Sequence, residues 1–206
     1  MYIKVLLLFA SAVPTWGFVI VIFGIIYLIK DYKNGFALLT EERRATGIFG
    51  VLDIKENTVI SSLKRHKRFG IYLSEKSQRE DTQYYIDAMR TKTPSQDTKI
   101  RSLSGGNQQK VIIARWLLKD SDVFIFDEPT RGIDIGAKSE MYDLIEQLSE
   151  NGKSVIIISS ELSEILRISD RILVMCEGRI TKEIPIGEAN QENIMKFAMM
   201  RGSEKL

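Results

Sequence analysis

The sequence is poor in the residues that usually build cross-links and metal centres. Its 206 residues include one cysteine, Cys176, and one histidine, His66, which excludes an internal disulfide and a histidine-rich metal site. His66 is also the single candidate for a Ser-His or Cys-His catalytic pair, and it lies in a run of bases. The 29 basic and 27 acidic residues leave a net charge of only +2. This balance predicts no nucleic-acid partner, and the cysteine usage favours a cytosolic setting.

Charge is absent from one long stretch near the N-terminus. Residues 5–29 contain no Asp, Glu, Lys or Arg and lie between Lys4 and Lys30, which is long enough to span a bilayer as one helix. We therefore expect residues 1–33 to form an apolar, membrane-span-like helix that serves as an N-terminal membrane anchor. Two other interpretations stay open, namely a secretory signal with a weak cleavage site at residues 10–12 and a non-native leader translated from a disrupted gene region.

From residue 34 onwards the hydrophobic pattern is that of a soluble α/β protein. Short apolar runs predict strands, amphipathic segments predict helices between them, and the polar residues 53–89 have mostly helical propensity. The strands are expected at 36–40, 123–126, 155–158, 171–175 and 179–184, and the helices at 108–119, 137–148 and 161–167. Strands that alternate with helices in this order predict a mostly parallel sheet covered by helices.

The first motif with chemical content opens the helix at 108–119. It reads Leu-Ser-Gly-Gly-Asn-Gln-Gln-Lys over residues 103–110. Paired glycines let the backbone approach an anion, the serine hydroxyl can donate a hydrogen bond, and the free amides of a helix N-terminus carry partial positive charge. These features predict a phosphate site. An ordinary serine cap would explain Ser-Gly-Gly alone, but the eight residues together are more specific.

The second motif places two carboxylates at the end of a buried strand. Asp127 and Glu128 follow the apolar run 123–126 directly, at the sheet edge where open α/β folds bind ligands. Burying carboxylates there without a cation would be unfavourable, so Asp127 is predicted to hold Mg²⁺ directly or through water. Glu128 could then polarise a water for attack on a phosphoryl group. An acidic strand-to-turn transition is the plainer alternative.

Together with the run Thr-Arg-Gly-Ile-Asp-Ile-Gly-Ala-Lys at 130–138, these motifs resemble the nucleotide-binding subunits of ABC transporters. Residues 103–110 resemble the signature, 123–128 Walker B, and Asp134 the D-loop. The resemblance extends from about residue 34 to about residue 200 and is strongest to the second ATPase domain of monosaccharide importers. Residues 35–46 point within that group to galactose and methyl-galactoside importers, with ribose and xylose importers close behind.

The resemblance implies a fold and a division of the chain. It implies an incomplete ABC-type P-loop ATPase domain over 34–206, with a mostly parallel sheet and a helical subdomain. Residues 34–100 would hold the Q-loop region and the helical subdomain, and 101–206 the signature, Walker B, D-loop and switch regions.

The resemblance also implies roles for individual residues, because ATP in this family lies between two domains. Asp127 (metal) and Glu128 (catalytic) would serve the nucleotide site of their own domain. Glu41 falls where many ABC ATPases carry the Q-loop glutamine and Ser160 where they carry the switch histidine, departures that recur in the sugar-importer group and predict weak hydrolysis at this site. The residues implied in binding ATP are Ser104, Gly105, Gly106, Gln108, Asp134, Glu41 and Ser160.

One expected motif does not occur in the sequence. A phosphate loop needs a glycine, four residues, then Gly-Lys and Ser or Thr, whereas the one Gly-Lys pair, Gly152-Lys153, has Gln147 at the position of the first glycine. We therefore predict half of each of two ATP sites and poor nucleotide binding by the chain alone. In the family a central strand leads into that loop, and its loss would expose strand edges at a cost of about 10 kcal/mol. Residues before 34 are not expected to replace it.

The functional expectation is part of the ATP-binding subunit of a sugar importer at the cytoplasmic face of the membrane. It would couple ATP binding and hydrolysis, with Mg²⁺, to uptake of galactose-like sugars. Its partners would be another ABC ATPase domain that supplies Walker A, membrane permease subunits and, indirectly, a sugar-binding protein. The alternative is a membrane-anchored, non-catalytic pairing or regulatory partner of another ABC ATPase. A nuclease or repair ATPase is disfavoured because no coiled-coil heptads flank the signature.

Overall fold

The computed structural model describes the backbone of residues 4–9 and the whole of residues 35–200. The chain divides into two compact units, which are described separately. Of the described residues, the sheet unit comprises 4–9, 35–38, 122–129 and 145–200, and the helical unit comprises 39–121 and 130–144.

Six strands form one sheet in the order β2-β5-β6-β1-β7-β8. Their bounds are β1 Lys4–Phe9, β2 Phe36–Leu39, β5 Val123–Asp127, β6 Ser154–Ile158, β7 Arg171–Cys176 and β8 Arg179–Pro185. Strand β1 pairs in parallel with β6 and β7, β5 pairs in parallel with β6, and β7 pairs antiparallel with β8. The predicted strands and the mostly parallel sheet are therefore confirmed.

Strand β1 corrects two predictions made for the uncharged N-terminal stretch. Leu6 lies opposite Ile157 of β6 and Ile172 of β7, so residues 4–9 occupy the middle of the sheet. The prediction of a membrane-span-like helix is wrong for these residues, and so is the prediction that nothing before residue 34 could complete the sheet. A strand between two parallel neighbours needs the same uncharged, apolar composition as a membrane helix. Only the length of the uncharged stretch favoured the helix.

The described residues contain no helix that is long and apolar enough to cross a membrane. The remainder of the predicted segment, residues 1–3 and 10–33, lies outside the described part of the chain.

The helical unit is built around α3, the helix that follows the Ser-Gly-Gly motif. Its helices are α1 Ile54–Val59, α2 Glu75–Ala88 and α3 Gly105–Leu118, and β3 Lys67–Arg68 and β4 Tyr72–Leu73 form a hairpin before α2. A capping box starts α1, since Asp53 accepts a bond from the amide of Glu56 and the Glu56 carboxylate accepts one in return. From α3 the buried Arg115 donates to the carbonyl oxygens of Asn57 and Gly47, at 2.7 and 2.9 Å. These bonds fix α3 and the motif at its N-terminus within the unit.

Three further helices complete the described chain. They are α4 Ile135–Glu150, which contributes to both units, α5 Leu162–Ile168 and α6 Gln191–Ala198. The helices predicted at 108–119, 137–148 and 161–167 are confirmed, with small differences at their ends. Their apolar positions point inward as expected, for example Val111 of α3, Met141 of α4 and Ile165 of α5, all of them buried.

A proline at Leu6 tests the central position of β1. Proline removes the backbone N–H that an interior strand must donate, so Leu6→Pro is expected to lower the free energy of unfolding by about 1–3 kcal/mol more than Leu6→Ala does. Leu6→Ala keeps the N–H and is the matched control. Urea unfolding followed by circular dichroism measures both. Equal stability of the two variants would show that residue 6 is not paired inside the sheet.

Candidate functional site

In the helical unit, Ser104 stands at the N-cap of α3 without capping it through its side chain. Its backbone carbonyl accepts from the amide of Gln108 at 2.9 Å, while its hydroxyl oxygen accepts from Nδ2 of Asn107 at 2.9 Å. Among the described residues, no amide of α3 donates to this hydroxyl. The hydroxyl therefore keeps its own proton for donation, and the first amides of the helix keep theirs. An ordinary serine cap does not describe this arrangement.

Packing also favours glycine at both positions of the motif, most strongly at Gly106. A Cβ at Gly106 would lie 2.9 Å from the Cβ of Ala137 in α4, which is closer than real Cβ contacts allow. A Cβ at Gly105 would overlap the guanidinium of Arg43. The glycines thus allow close packing within the protein as well as an open helix N-terminus.

Gln108 lies in the interior rather than on the surface with Ser104. Its side chain is fully buried, and Nε2 donates to the carbonyl oxygens of Leu103 and Ile100, at 3.1 and 3.3 Å. These bonds hold the turn that leads into α3. The geometry gives Gln108 a role in shaping the motif and no exposed group to offer a nucleotide.

A cavity of about 180 Å³ brings the motif together with Asp134 in the helical unit. Its lining includes Ser104, Gly106 and Asp134, together with Lys92 and Lys110. Asp134 Oδ1 accepts from the amide of Ala137 at 2.9 Å, which caps α4. The cavity therefore brings two helix N-termini together with two lysines and with the carboxylates of Asp134 and Glu140. The helix N-termini are the feature that favours an anion.

Two lysines also line this cavity, and the sequence analysis named neither as a binding residue, although Lys110 ends the motif at 103–110. Lys110 is nearly buried and pairs with Glu140 at 2.6 Å, so most of its charge is compensated locally. The side chain of Lys92 is exposed, while its backbone amide donates to Oδ1 of Asn107 at 2.9 Å. Lys92 lies in an irregular loop away from any motif, so only the fold brings it to the cavity.

In the sheet unit, β5 ends at Asp127, a buried carboxylate whose Oδ1 accepts no hydrogen bond from the described residues. Asp127 is 7% exposed. Burial, and then the nearby charge of Glu128, raises the pKa of Asp127 to about 6. An orphaned carboxylate oxygen fits a hard cation such as Mg²⁺. The described residues contain no cluster of three or more metal-ligating side chains.

Glu128 is held in an unusual backbone conformation next to Asp127. Its φ of +48° lies in the left-handed region, which a non-glycine residue adopts at a cost. Its amide donates to the carbonyl of Ile158 at 2.8 Å, and its Oε1 accepts from the amide of Ser160 at 2.8 Å. Glu128 and Ser160, both of them candidate site residues from the sequence, are therefore in direct contact. The donor is the backbone amide of Ser160, so the identity of its side chain gives no sign of this contact in the sequence.

Glu41 lies in the helical unit and forms an ion pair with Arg131. Two residues further on, Arg43 donates through Nη1 to the carbonyl oxygen of Arg131 at 3.0 Å and through Nη2 to that of Gly132 at 3.3 Å. The segment predicted as the Q-loop region is thus tied to the loop that precedes Asp134. Sequence analysis did not identify Arg43 or Arg131 as site residues.

Asparagine at position 127 tests the raised pKa. Above pH 6 the folded state carries a buried charge at Asp127, which lowers stability, whereas near pH 4 and below this carboxyl is protonated in the folded state. Asp127→Asn is therefore expected to raise the free energy of unfolding by about 1–3 kcal/mol at pH 7.5 without divalent cations, an advantage that shrinks as pH falls towards 4. The control Asp122→Asn alters a carboxylate that is 77% exposed and should change stability little.

Urea unfolding at several pH values measures this difference. A gain for Asp127→Asn that stays constant between pH 7.5 and pH 4 would contradict the raised pKa.

Comparisons with known proteins assign the family. A family model described as ABC transporter matches residues 28–131. The galactose/methyl galactoside import ATP-binding protein MglA of Fusobacterium nucleatum is 55% identical over 166 residues, covering 81% of this chain and 33% of that protein. The protein of the same name from Clostridium tetani is 52% identical over 170 residues, covering 82% of this chain and 34% of its own length. The chain therefore spans about a third of the length of these curated relatives.

Solved structures confirm the fold. The dimeric structure of MJ0796, a bacterial ABC transporter cassette, superposes with a TM-score of 0.70 at 18% identity, covering 89% of this chain and 85% of that one. The ADP conformation of MJ1267, an ATP-binding cassette of an ABC transporter, also gives 0.70 at 18% identity, covering 94% and 86%. With its α/β fold and with the family model matching half of its residues, this chain belongs to the ABC transporter family of ATP-binding proteins.

Proposed function

We propose that the chain is part of the ATP-binding subunit of a sugar importer and helps to couple ATP binding and hydrolysis to uptake of a galactose-like carbohydrate. The curated relatives, about half of whose aligned residues are identical, are named for galactose and methyl galactoside import. The observation that carries the proposal is the uncapped N-terminus of α3, which shares one cavity with Asp134.

The α3 N-terminus is proposed to bind the terminal phosphate of a nucleotide held by a second domain. The Ser104 hydroxyl and the first amides of α3 would donate to phosphate oxygens, and Gly105 and Gly106 would let the backbone approach them. Lys92 would add positive charge from the rim of the same cavity. Gln108 would support this surface from inside the turn, and Asp134 would lie at the border between two domains.

Asp127 and Glu128 are proposed to serve the second half-site. Asp127 would hold Mg²⁺ through its orphaned oxygen. When bound, Mg²⁺ supplies positive charge that stabilises phosphate oxygens during transfer. Glu128, oriented by the amide of Ser160, would accept a hydrogen bond from a water molecule and polarise it towards phosphorus. Weak hydrolysis here remains our expectation, since Glu41 and Ser160 stand at the Q-loop and switch positions.

The partners follow from this assignment. A second ABC ATPase domain would supply Walker A, permease subunits would form the path across the membrane, and a sugar-binding protein would deliver the sugar. The chain would act at the cytoplasmic face of the membrane.

A mutation at Ser104 tests the proposed phosphate contact. The chain is mixed with a second ABC ATPase domain that carries a complete phosphate loop, and phosphate release is measured at steady state. Ser104→Arg should lower the turnover gained on mixing at least about tenfold, because a long side chain fills the phosphate position. Ser102→Arg, a substitution at an exposed residue just outside the helix, is the matched control and should not change turnover.

Two outcomes would contradict this proposal. One is turnover, or micromolar binding of Mg-ATP, by the isolated chain. The other is equal turnover with Ser104→Arg and with the wild-type chain.

The sugar is tested separately with vesicles that contain the permease and the completed ATPase. Uptake of labelled galactose should require ATP and should fall with Ser104→Arg. ATP turnover that responds to another sugar but not to galactose would leave the ATPase assignment standing and overturn the sugar assignment.

A further inference from the structure

Arg43 connects parts of the helical unit that are far apart in sequence. It begins a five-residue π-helical turn, Arg43–Gly47, and its guanidinium reaches the carbonyl oxygens of Arg131 and Gly132. The ion pair between Glu41 and Arg131 joins the same two segments a second time. Glu41 and Arg43, two residues apart, therefore both contact the short loop that contains Arg131 and Gly132.

The loop held by Arg43 leads directly to Asp134. Gly132 has a φ of +68°, so the loop turns sharply there, and the amide of Ile133 donates to the carbonyl of Thr130 over a long 3.4 Å. Bonds to a charged guanidinium are stronger than such a bond between neutral groups. Arg43 therefore supplies a substantial part of what fixes the loop ahead of Asp134.

The same guanidinium also lies against the first turn of α3. A Cβ added to Gly105 would overlap Nη2 of Arg43 and would lie 3.0 Å from its Cζ and 3.3 Å from Cγ2 of Ile133. Position 105 is thus packed against both the guanidinium and the loop. A side chain there would have to displace the end of Arg43.

We propose that Arg43 is a positioning residue that fixes the loop at 130–134 against the first turn of α3, and that glycine at position 105 makes room for its guanidinium. The planar fork of arginine donates to two successive carbonyls at once, a geometry that a lysine ammonium reproduces only in part. The functional consequence rests on the proposed function: Arg43 sets Asp134 and Ser104 at their places around the shared cavity.

Hydrogen exchange of the full chain, measured residue by residue by NMR without nucleotide, tests the structural part. Arg43→Gln should accelerate exchange at the amide of Ile133, which donates to Thr130 within the loop, at least about tenfold, the factor expected for losing a charge-assisted hydrogen bond. Arg44→Gln removes the same charge from the exposed neighbour and should leave this amide as in the wild type. Arg43→Lys should restore part of the protection.

Amides of α1 and of the second half of α3, in the same unit as Arg43, report in the same spectra whether each variant is folded. Unchanged exchange of the loop in a folded Arg43→Gln variant, or equal acceleration by Arg44→Gln, would overturn the proposal.

A double-mutant cycle tests the link to Gly105. Gly105→Ala should accelerate exchange in the loop about as much as Arg43→Gln, because both remove the guanidinium from the two carbonyls. The double variant should exchange no faster than either single variant. If the two accelerations of the exchange rate multiply in the double variant, Gly105 does not act through Arg43, and that part of the proposal is overturned.

The link to the reaction is tested in the two-domain ATPase assay. Arg43→Gln should lower kcat severalfold with little change in KM for ATP, and Arg43→Lys should recover part of it. A loosened loop with unchanged kcat would overturn the role in the reaction. Since exchange is measured without nucleotide, the loop result stands or falls independently of the ATPase assignment.

Discussion

Backbone pairing of residues 4–9 with β6 and β7 is the interaction on which the sheet depends. Without β1 these two strands would present unpaired N–H and C=O groups in the middle of the sheet, a state that native proteins avoid. Strand β5 pairs with β6 on the other side, so the position of Asp127 and Glu128 follows from the same register. The sheet edge that carries the acidic pair is thus set by an N-terminal strand with no charged side chain after Lys4.

The acidic pair shows how binding chemistry and stability oppose each other. Asp127 is buried with an oxygen that accepts no hydrogen bond from the described residues, and Glu128 adopts a left-handed backbone conformation. Both features are unfavourable for the folded chain alone. Asp127 keeps a carboxylate oxygen without a protein donor, as a cation requires, and Glu128 keeps a carboxylate that the amide of Ser160 orients. The fold stabilises this arrangement through backbone bonds to Ile158 and Ser160.

Much of the fold was predictable from sequence because apolar residues recur at different spacings in its strands and in its helices. The runs around Val123 and Val155 are too short for helices, while Met141 and Ile145 recur at helical spacing. The prediction failed at the N-terminus, because a central strand and a membrane helix have similar apolar compositions. Residues 5–9, which carry no charge, suit either structure. Sequence patterns also identified Ser104, Asp127 and Glu128 as site candidates. They could not identify Arg43 or Lys92, which reach their places only through long-range folding.

The glycines of the signature show why a motif can be recognised without its physics being understood. Sequence reasoning explains Gly105 and Gly106 by the approach of a phosphate to the backbone. The structure adds that the Cα of Gly106 faces Ala137 and that of Gly105 faces the Arg43 guanidinium, contacts that exist before any ligand binds. A substitution at Gly105 would therefore act on the loop before Asp134 as well as on the helix N-terminus. Loss of activity in such a variant would not by itself prove contact with phosphate, and the two effects separate only when the loop is observed without nucleotide.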